Sequence, residues 1–537
     1  MRIAWILMVM VGVAHAQLPV NFRLSHAVVD TNASYMLDTS STAGLASNSV
    51  VDIQAGGDSL VFFGTSRGLS LTPDLGTTFR SYIASVVDLP SGSISAMNVS
   101  NSIVIAAGLA DSVIAGTAQL IGTGLAYSQD LGDTWTFLDV PQEPEDSPAT
   151  VSILWGGNTI DMLPITTIVN NITWDLAYSL GTLWAASWSS GLRRYPITAA
   201  GNNWLVVPMP RDDDDIFSCD SIPDGYIINP RNPNDSSDPG NHNHKGFSVI
   251  AYDTLVWVGT AAGINKGIVD STTGCIKWTH YTAQNSNISG NWVVALHRQV
   301  WTGGERIWAA TVHAEGAGEI QGLSYTDDAG ESWKTALLGI RVHNISSFGE
   351  NVYAATEEGL YKSADGLNWA RFLSAVDAET GERVYADKTT GILYDGRDST
   401  LWMGTADGLA RTSDEGATWA IERAFVSTRG QGSEDRFYAY PNPFSPATDN
   451  ILDGSGYVRF QYHIEADEVG KRAAIEIFDF AMDPVAELAY RTHGAQGDYS
   501  QAWDATNSAG FEVANGVYYC RLKIGSTGYW TKVVVIN

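Results

Sequence analysis

The chain has 537 residues, 31 of them Lys or Arg against 59 Asp or Glu, for a formal net charge of −28. That balance disfavours a phosphate backbone, so nucleic acid is set aside as a partner. The length exceeds the ~250 to 300 residues at which one core stops growing, so more than one folding unit is expected.

Residues 1–16 read as a signal peptide. Arg2 gives a basic start, residues 3–13 an apolar stretch, and Ala14-His15-Ala16 a small-x-small cleavage pattern. Gln17 stands where a lipid anchor would need Cys, and no other run approaches the ~18 apolar residues that cross a bilayer. The expected mature chain is exported and lacks a transmembrane segment.

Between residues 17 and 425 one strand grammar recurs: a β-branched or aromatic strand ending in small residues, a Gly turn, then a second strand. Instances begin at Leu60, Leu120, Leu183, Leu255, Ile307, Val352 and Leu401. Their closing aromatics are Phe79, Trp135, Trp204, Trp278, Trp333, Trp369 and Trp419. A propeller blade of four strands needs ~40 to 50 residues, so the spacing predicts one blade per unit, with insertions in the early ones. Seven such units close a ring and hide most sheet edges. The expected fold class is all-β: a seven-bladed β-propeller followed by a small immunoglobulin-like β-sandwich.

Five units end in a Ser/Thr-x-Asp-x-Gly-x-Ser/Thr-aromatic box, centred on Asp74, Asp130, Asp328, Asp414 and, one residue shorter, Asp365. Asp at a tight turn accepts backbone N–H bonds, Gly supplies a positive φ, and the aromatic restarts a buried strand. These aspartates, with Trp135, Trp333, Trp369 and Trp419, are therefore read as structural clips. The box resembles the Asp box (BNR repeat) of sialidases, sortilin-type receptors, xyloglucanases and photosystem assembly factors. The resemblance implies a β-propeller and no single activity.

Residues 426–437 are polar and Gly-containing, as a linker should be. Residues 438–537 hold short alternating strands, which read as a β-sandwich. Tyr440-Pro441-Asn442-Pro443-Phe444, the WDATNSAG string from Trp503, the NGVYYCRL string from Asn515 and the final TKVVVI strand resemble the FlgD-like immunoglobulin fold and the type A C-terminal domain of type IX secretion substrates. The tract after Phe478 lacks the Gly usual in that family's "IYDxxGxxV" turn. The resemblance implies the type IX machinery as a partner, and a secreted or surface-attached protein of a Gram-negative bacterium.

Strand direction alternates within a blade. If the boxes join third and fourth strands, then second-to-third and blade-to-blade connections share the opposite face, and insertions should gather there. Three qualify: residues 139–171 with Trp155, residues 208–245, and residues 311–321 with His313, Glu315 and Glu319. Long loops on a rigid scaffold commonly carry binding sites. Asp212, Asp213, Asp214 and Asp215 could bind calcium, the alternative being a solvated charge run. His242 and His244, with Asp238, could hold a transition metal, although no third placed ligand accompanies them. No other cofactor is expected. Trp155, Trp174 and Trp188 either stack on sugar rings or fill the space between blades. Cys219 with Cys275 is the plausible bridge in an exported chain; otherwise these and Cys520 are unpaired, mostly buried thiols.

Two function classes remain. A sialidase needs three convergent arginines, and the nearest string, Arg194-Tyr195-Pro196, departs from the family's early Arg-Ile-Pro. A glycoside hydrolase would need two carboxylates about 5 to 10 Å apart. The expected alternative is a non-catalytic propeller that binds a glycan, peptide or envelope protein through its insertion face, with no catalytic residue assigned.

Overall fold

The computed structural model describes residues 44–536 except 83–87, 115, 198–202, 231–239, 314–317, 378–380 and 425–435. The expected signal peptide lies outside the described residues. Seven antiparallel sheets follow one another along the chain at residues 50–82, 93–138, 173–206, 246–281, 292–336, 342–371 and 389–422. Each pairs four consecutive strands in sequence order. These are blades 1 to 7. Among the described residues the only helical element is a 3₁₀ turn at His242–His244.

The first strand of each blade is innermost. These strands are Val50–Gly56, Ser93–Ser100, Thr173–Ser179, Gly246–Tyr252, Trp292–Trp301, Val342–Phe348 and Thr389–Asp395. Each packs against the next, and the seventh packs against the first, so the ring is closed. All seven carry a register shift at the same point, two to four residues into the strand and before Asp52, Ala96, Asp175, Ser248, Ala295, Asn344 and Gly391. A bulge bends and twists its strand. Repeated sevenfold, it sets the inner strands at one inclination to the axis.

The propeller core lies between blades. Seven apolar clusters each join a neighbouring pair, the last uniting Phe63 of blade 1 with Trp402 of blade 7. The closing aromatics drive wedges backward into the preceding blade. Trp333 packs on Trp257 at 6.2 Å, Trp369 on Trp308 at 6.0 Å, and Trp135 on Tyr82 at 6.3 Å.

The five boxes occupy turns between third and fourth strands. In each, one carboxylate oxygen accepts a backbone N–H and the other a side-chain donor. Asp414 takes Thr418 N–H at 2.8 Å and Thr418 Oγ1 at 2.6 Å, while Gly416 N–H donates to Thr412 Oγ1 at 2.9 Å. Besides Gly416 at φ 87°, Glu415 is left-handed at φ 59°, and Leu75, Leu131 and Ala329 repeat this before their own glycines. The Asp365 box lacks that residue, which is why it is one shorter. In blade 2 the reading at Leu120 is corrected: the second strand is Ile103–Ile114, and Leu120 lies in the third, Thr117–Ser128.

The C-terminal region forms two facing sheets around one core. Phe437–Tyr440, Val458–Ile464 and Gly497–Trp503 make one, and Pro484–Glu487, Arg472–Phe478, Gly516–Ile524 and Thr527–Val535 the other. Phe444, Phe460, Tyr462, Ile475 and Trp503 fill the space between them. Its first strand starts at Phe437, one residue inside the segment read as linker. Asn442 caps the edge of the last strand, donating to Lys532 O at 2.8 Å and accepting from Val534 N at 3.0 Å. Unpaired sheet edges invite other chains, and this side chain blunts one.

Candidate functional site

Chain direction places the boxes on one face of the ring and the blade-to-blade crossings on the other. The insertions start on the crossing face but do not stay there. Ile216–Phe217 adds as a fifth strand to the outer edge of blade 4, pairing antiparallel with Ile276–Tyr281. It therefore runs toward the box face, where Cys219 is bonded to Cys275 in the turn between the third and fourth strands. Beside it stands a small sheet of Val151–Trp155, Asn158–Met162 and Ile227–Ile228. The expectation that insertions gather on the crossing face is corrected: a free outer strand edge and an apolar rim draw them around the side.

Trp155 is part of that rim. It is buried and stacks on Phe217 at 4.9 Å, which stacks on Tyr226 at 4.6 Å. It is thus no binding-face residue, and its assignment as one is corrected. The acidic run is dispersed among chain partners. Asp212 accepts from His242 N at 3.1 Å and Asn243 N at 2.7 Å, Asp214 pairs with Arg211 at 2.9 Å, and Asp215 accepts from Asn285 at 2.7 Å, while Asp213 is exposed. His244 is buried, its Nδ1 accepting Asn229 N–H at 3.0 Å, and burial lowers its pKa to about 4. Among the described residues no group of three His, Cys, Asp or Glu side chains is arranged to hold a metal ion. Glu319 is buried, its two oxygens accepting Asn291 N and Nδ2 at 3.1 Å each. His313 is exposed, and Glu315 lies outside the described residues.

What the tertiary structure does assemble is the axial channel, a cavity of about 580 Å³ lined by the inner strands. Asp52, Asp175, His297, Arg298, Arg341 and His343 are among its polar wall. The residues just after the bulges form one layer. Asp52, Asp175 and Asn344 each accept the next residue's N–H at 2.8 Å. Asp175 also accepts Val249 N of blade 4 at 2.8 Å, and Asn344 Nδ2 reaches Asp52 at 3.3 Å, past Gly391 of blade 7. A Cβ at Gly391 would stand 2.9 Å from Ile53. Burial raises Asp52 to about 6 and Asp175 to about 8 against those hydrogen bonds. Both are inter-blade braces with both oxygens engaged. The strings VVDIQ, TWDLA and VHNIS carry this pattern and were the legible signal for them.

At the crossing-face mouth, Trp188, Phe247 and Trp292 cluster with ring centres 5.2 to 6.3 Å apart, and the Lys245 ammonium sits 4.1 Å over Trp188. Trp174, half-buried on the channel wall, has an indole N–H without a hydrogen-bond partner. Across the mouth, His343 donates to Glu357 at 2.7 Å, and Lys388 pairs with the same carboxylate at 3.2 Å. Burial lowers His343 to about 4, so it is neutral near pH 7; burial would raise Glu357, but the His343 hydrogen bond and Lys388 hold it at about 2. The arrangement offers the partly exposed faces of Trp188 and Trp292, while the Lys245 side chain and the Trp174 N–H are buried. Its described carboxylates are already bound to the chain's own groups.

No family profile matches the chain, and no curated protein matches it. Solved structures do. PorZ of Porphyromonas gingivalis, described as an essential bacterial surface component of the type-IX secretion system, is 13% identical with a TM-score of 0.30, over 91% of this chain and 75% of that one. The GH74 enzyme of Niastella koreensis is 12% identical with a TM-score of 0.43, over 92% and 75%. YCF48 from Cyanidioschyzon merolae is 16% identical with a TM-score of 0.38, over 69% and 97%. The seven-bladed ring rests on the sheet order and inner-strand packing, not on these likenesses.

Proposed function

We propose that this chain is an exported or surface-attached, non-catalytic β-propeller that binds a glycan at the crossing-face mouth of its channel. Its C-terminal sandwich then serves the type IX export and attachment route. The observation that carries the reading is the partly exposed aromatic cluster around Trp188 and Trp292, with the half-buried Trp174 on the adjoining channel wall. Flat apolar ring faces with polar edges suit pyranose rings.

The hydrolase alternative needs one carboxylic acid free to give a proton and one carboxylate free to attack or activate water. Glu319, Asp52 and Asp175 have both oxygens occupied within the fold. That arrangement supports binding over hydrolysis.

The test is a polysaccharide panel run twice on the purified chain, once for binding and once for release of reducing ends. Retention of one polysaccharide, weakened at least about tenfold in Trp188→Ala or Trp292→Ala by loss of stacking and without new reducing ends, supports the reading. Turnover that disappears in Glu319→Gln would replace it with the hydrolase.

A further inference from the structure

Six of the seven blade pairs are joined by the chain running from one blade into the next; blades 7 and 1 are not. Many rings solve this by lending a strand from one chain end to the other end's blade, but here each blade takes its four strands from consecutive sequence. The seam is instead laced by side chains. Arg397 donates to Gly56 O, Gly57 O and Leu60 O at 2.8 to 3.0 Å, and Thr390 Oγ1 to Val50 O at 2.7 Å. Asn48, just ahead of the first strand, exchanges hydrogen bonds with Ala424 at 2.7 and 3.3 Å, and its carbonyl accepts Gly408 N–H at 2.8 Å.

The C-terminal sandwich grips both sides of that lacing. Arg459 is 2% exposed and makes a two-pronged ion pair with Asp407, itself 1% exposed, at 2.6 and 3.0 Å. Asp407 lies in the turn between the second and third strands of blade 7, next to Gly408. Arg459 also reaches Glu382 at 3.1 Å and Arg383 O at 3.0 Å, and Ser500 of the sandwich donates to Glu382 at 3.1 Å. Arg423, leaving blade 7, completes the network on Glu382 and Asp407 at 3.2 and 3.4 Å. Tyr457 packs on Tyr385 at 4.5 Å. On the other side, the Tyr440 hydroxyl accepts from Asn48 at 3.3 Å. Burial alone would raise Asp407, and the Arg459 and Arg423 charges outweigh it and hold it ionised.

We propose that the C-terminal sandwich is the clasp of the ring: its Val458–Ile464 sheet is an interaction surface whose partner is the blade 7–blade 1 seam of this same chain, held noncovalently and independently of the linker. A domain acting only as a detachable tag would need no buried ion pairs into the propeller, since desolvating such charges is costly unless both partners stay in place.

The test inserts a specific protease site between residues 426 and 435 of the full chain. After complete cleavage the two fragments are expected to co-elute in near-physiological salt and to melt in one transition. In uncut Arg459→Ala, exchange at the Gly408 and Ala424 amides is expected to rise about tenfold or more relative to blades 3 and 4, through local opening. Tyr457→Ala supplies the same reading should the first variant not fold. Separation of the cleaved wild-type fragments, or unchanged exchange at the seam in the variants, overturns the proposal.

Discussion

Blades 3 and 4 carry no box, and the five boxed blades carry no cross-link. In the boxed blades the turn between third and fourth strands is held within seven residues of sequence, by an exposed aspartate with two hydroxyls and a left-handed pair in four of them, and with Ser363, the Asn368 amide and Gly366 alone in the Asp365 box. In blade 4 Asp270 accepts the Thr272 and Thr273 N–H at 2.8 and 3.2 Å, and the equivalent turn is tied in addition from 56 residues away, by the Cys219–Cys275 bond and an added edge strand. The comparison teaches that in these six blades the turn is kept while its chemistry changes: the outermost strand is stopped from fraying. A local clip or a long-range cover both meet that need.

The largest effect should come from the cover. Trp155→Ala removes a buried indole stacked on Phe217, and truncation of such an aromatic costs about 3–5 kcal/mol, read by denaturant unfolding. Limited proteolysis should then cut first in residues 208–230; cuts elsewhere would break the comparison. Next, the Cys219→Ser, Cys275→Ser pair should cost about 2–4 kcal/mol by freeing a long loop in the unfolded chain. The melting point of wild type under reductant should fall to that of the double variant.

The clips are expected to show themselves through pH. The Ser128 hydroxyl, then Thr134, holds Asp130 at about 2, and the Ser332 and Thr418 hydroxyls do the same first for Asp328 and Asp414. Their folded pKa values lie below the usual 3.8, so their contribution is present above pH 4 and lost as pH falls toward 2. Hydrogen exchange in that window should rise at the boxed turns before the disulfide-held turn of blade 4. The axial braces have the opposite sign. Asp175 is raised to about 8 by burial, so its contribution is complete below pH 4 and lost as pH climbs through 8. Stability measured from pH 5 to 9 should slope downward in wild type and less so in Asp175→Asn.

Repetition explains why the ring was legible. The boxes and closing aromatics act within a few residues, so periodic strings such as Thr412 to Trp419 report their structure directly. Leu120 misled because a third strand rich in β-branched and small residues reads like a second. Trp155 misled for a different reason: a tryptophan in an insertion looks exposed until the free edge of blade 4 is seen to receive Ile216 and Phe217. Nothing near Arg459 advertises Asp407, 52 positions earlier. The channel mouth likewise joins Trp188, Phe247 and Trp292 from a turn and the starts of two inner strands.

By itself, then, the amino-acid order determined the sevenfold repeat, the all-β class, the box turns and the change of grammar near residue 437, because each depends on strand periodicity and turn chemistry spanning fewer than ten residues. Only the tertiary structure decided where the insertions lie, which tryptophans meet at the mouth, and that the sandwich is fastened across the seam. Those outcomes depend on which unpaired edges and buried charges find partners, and partners distant in sequence leave no local trace.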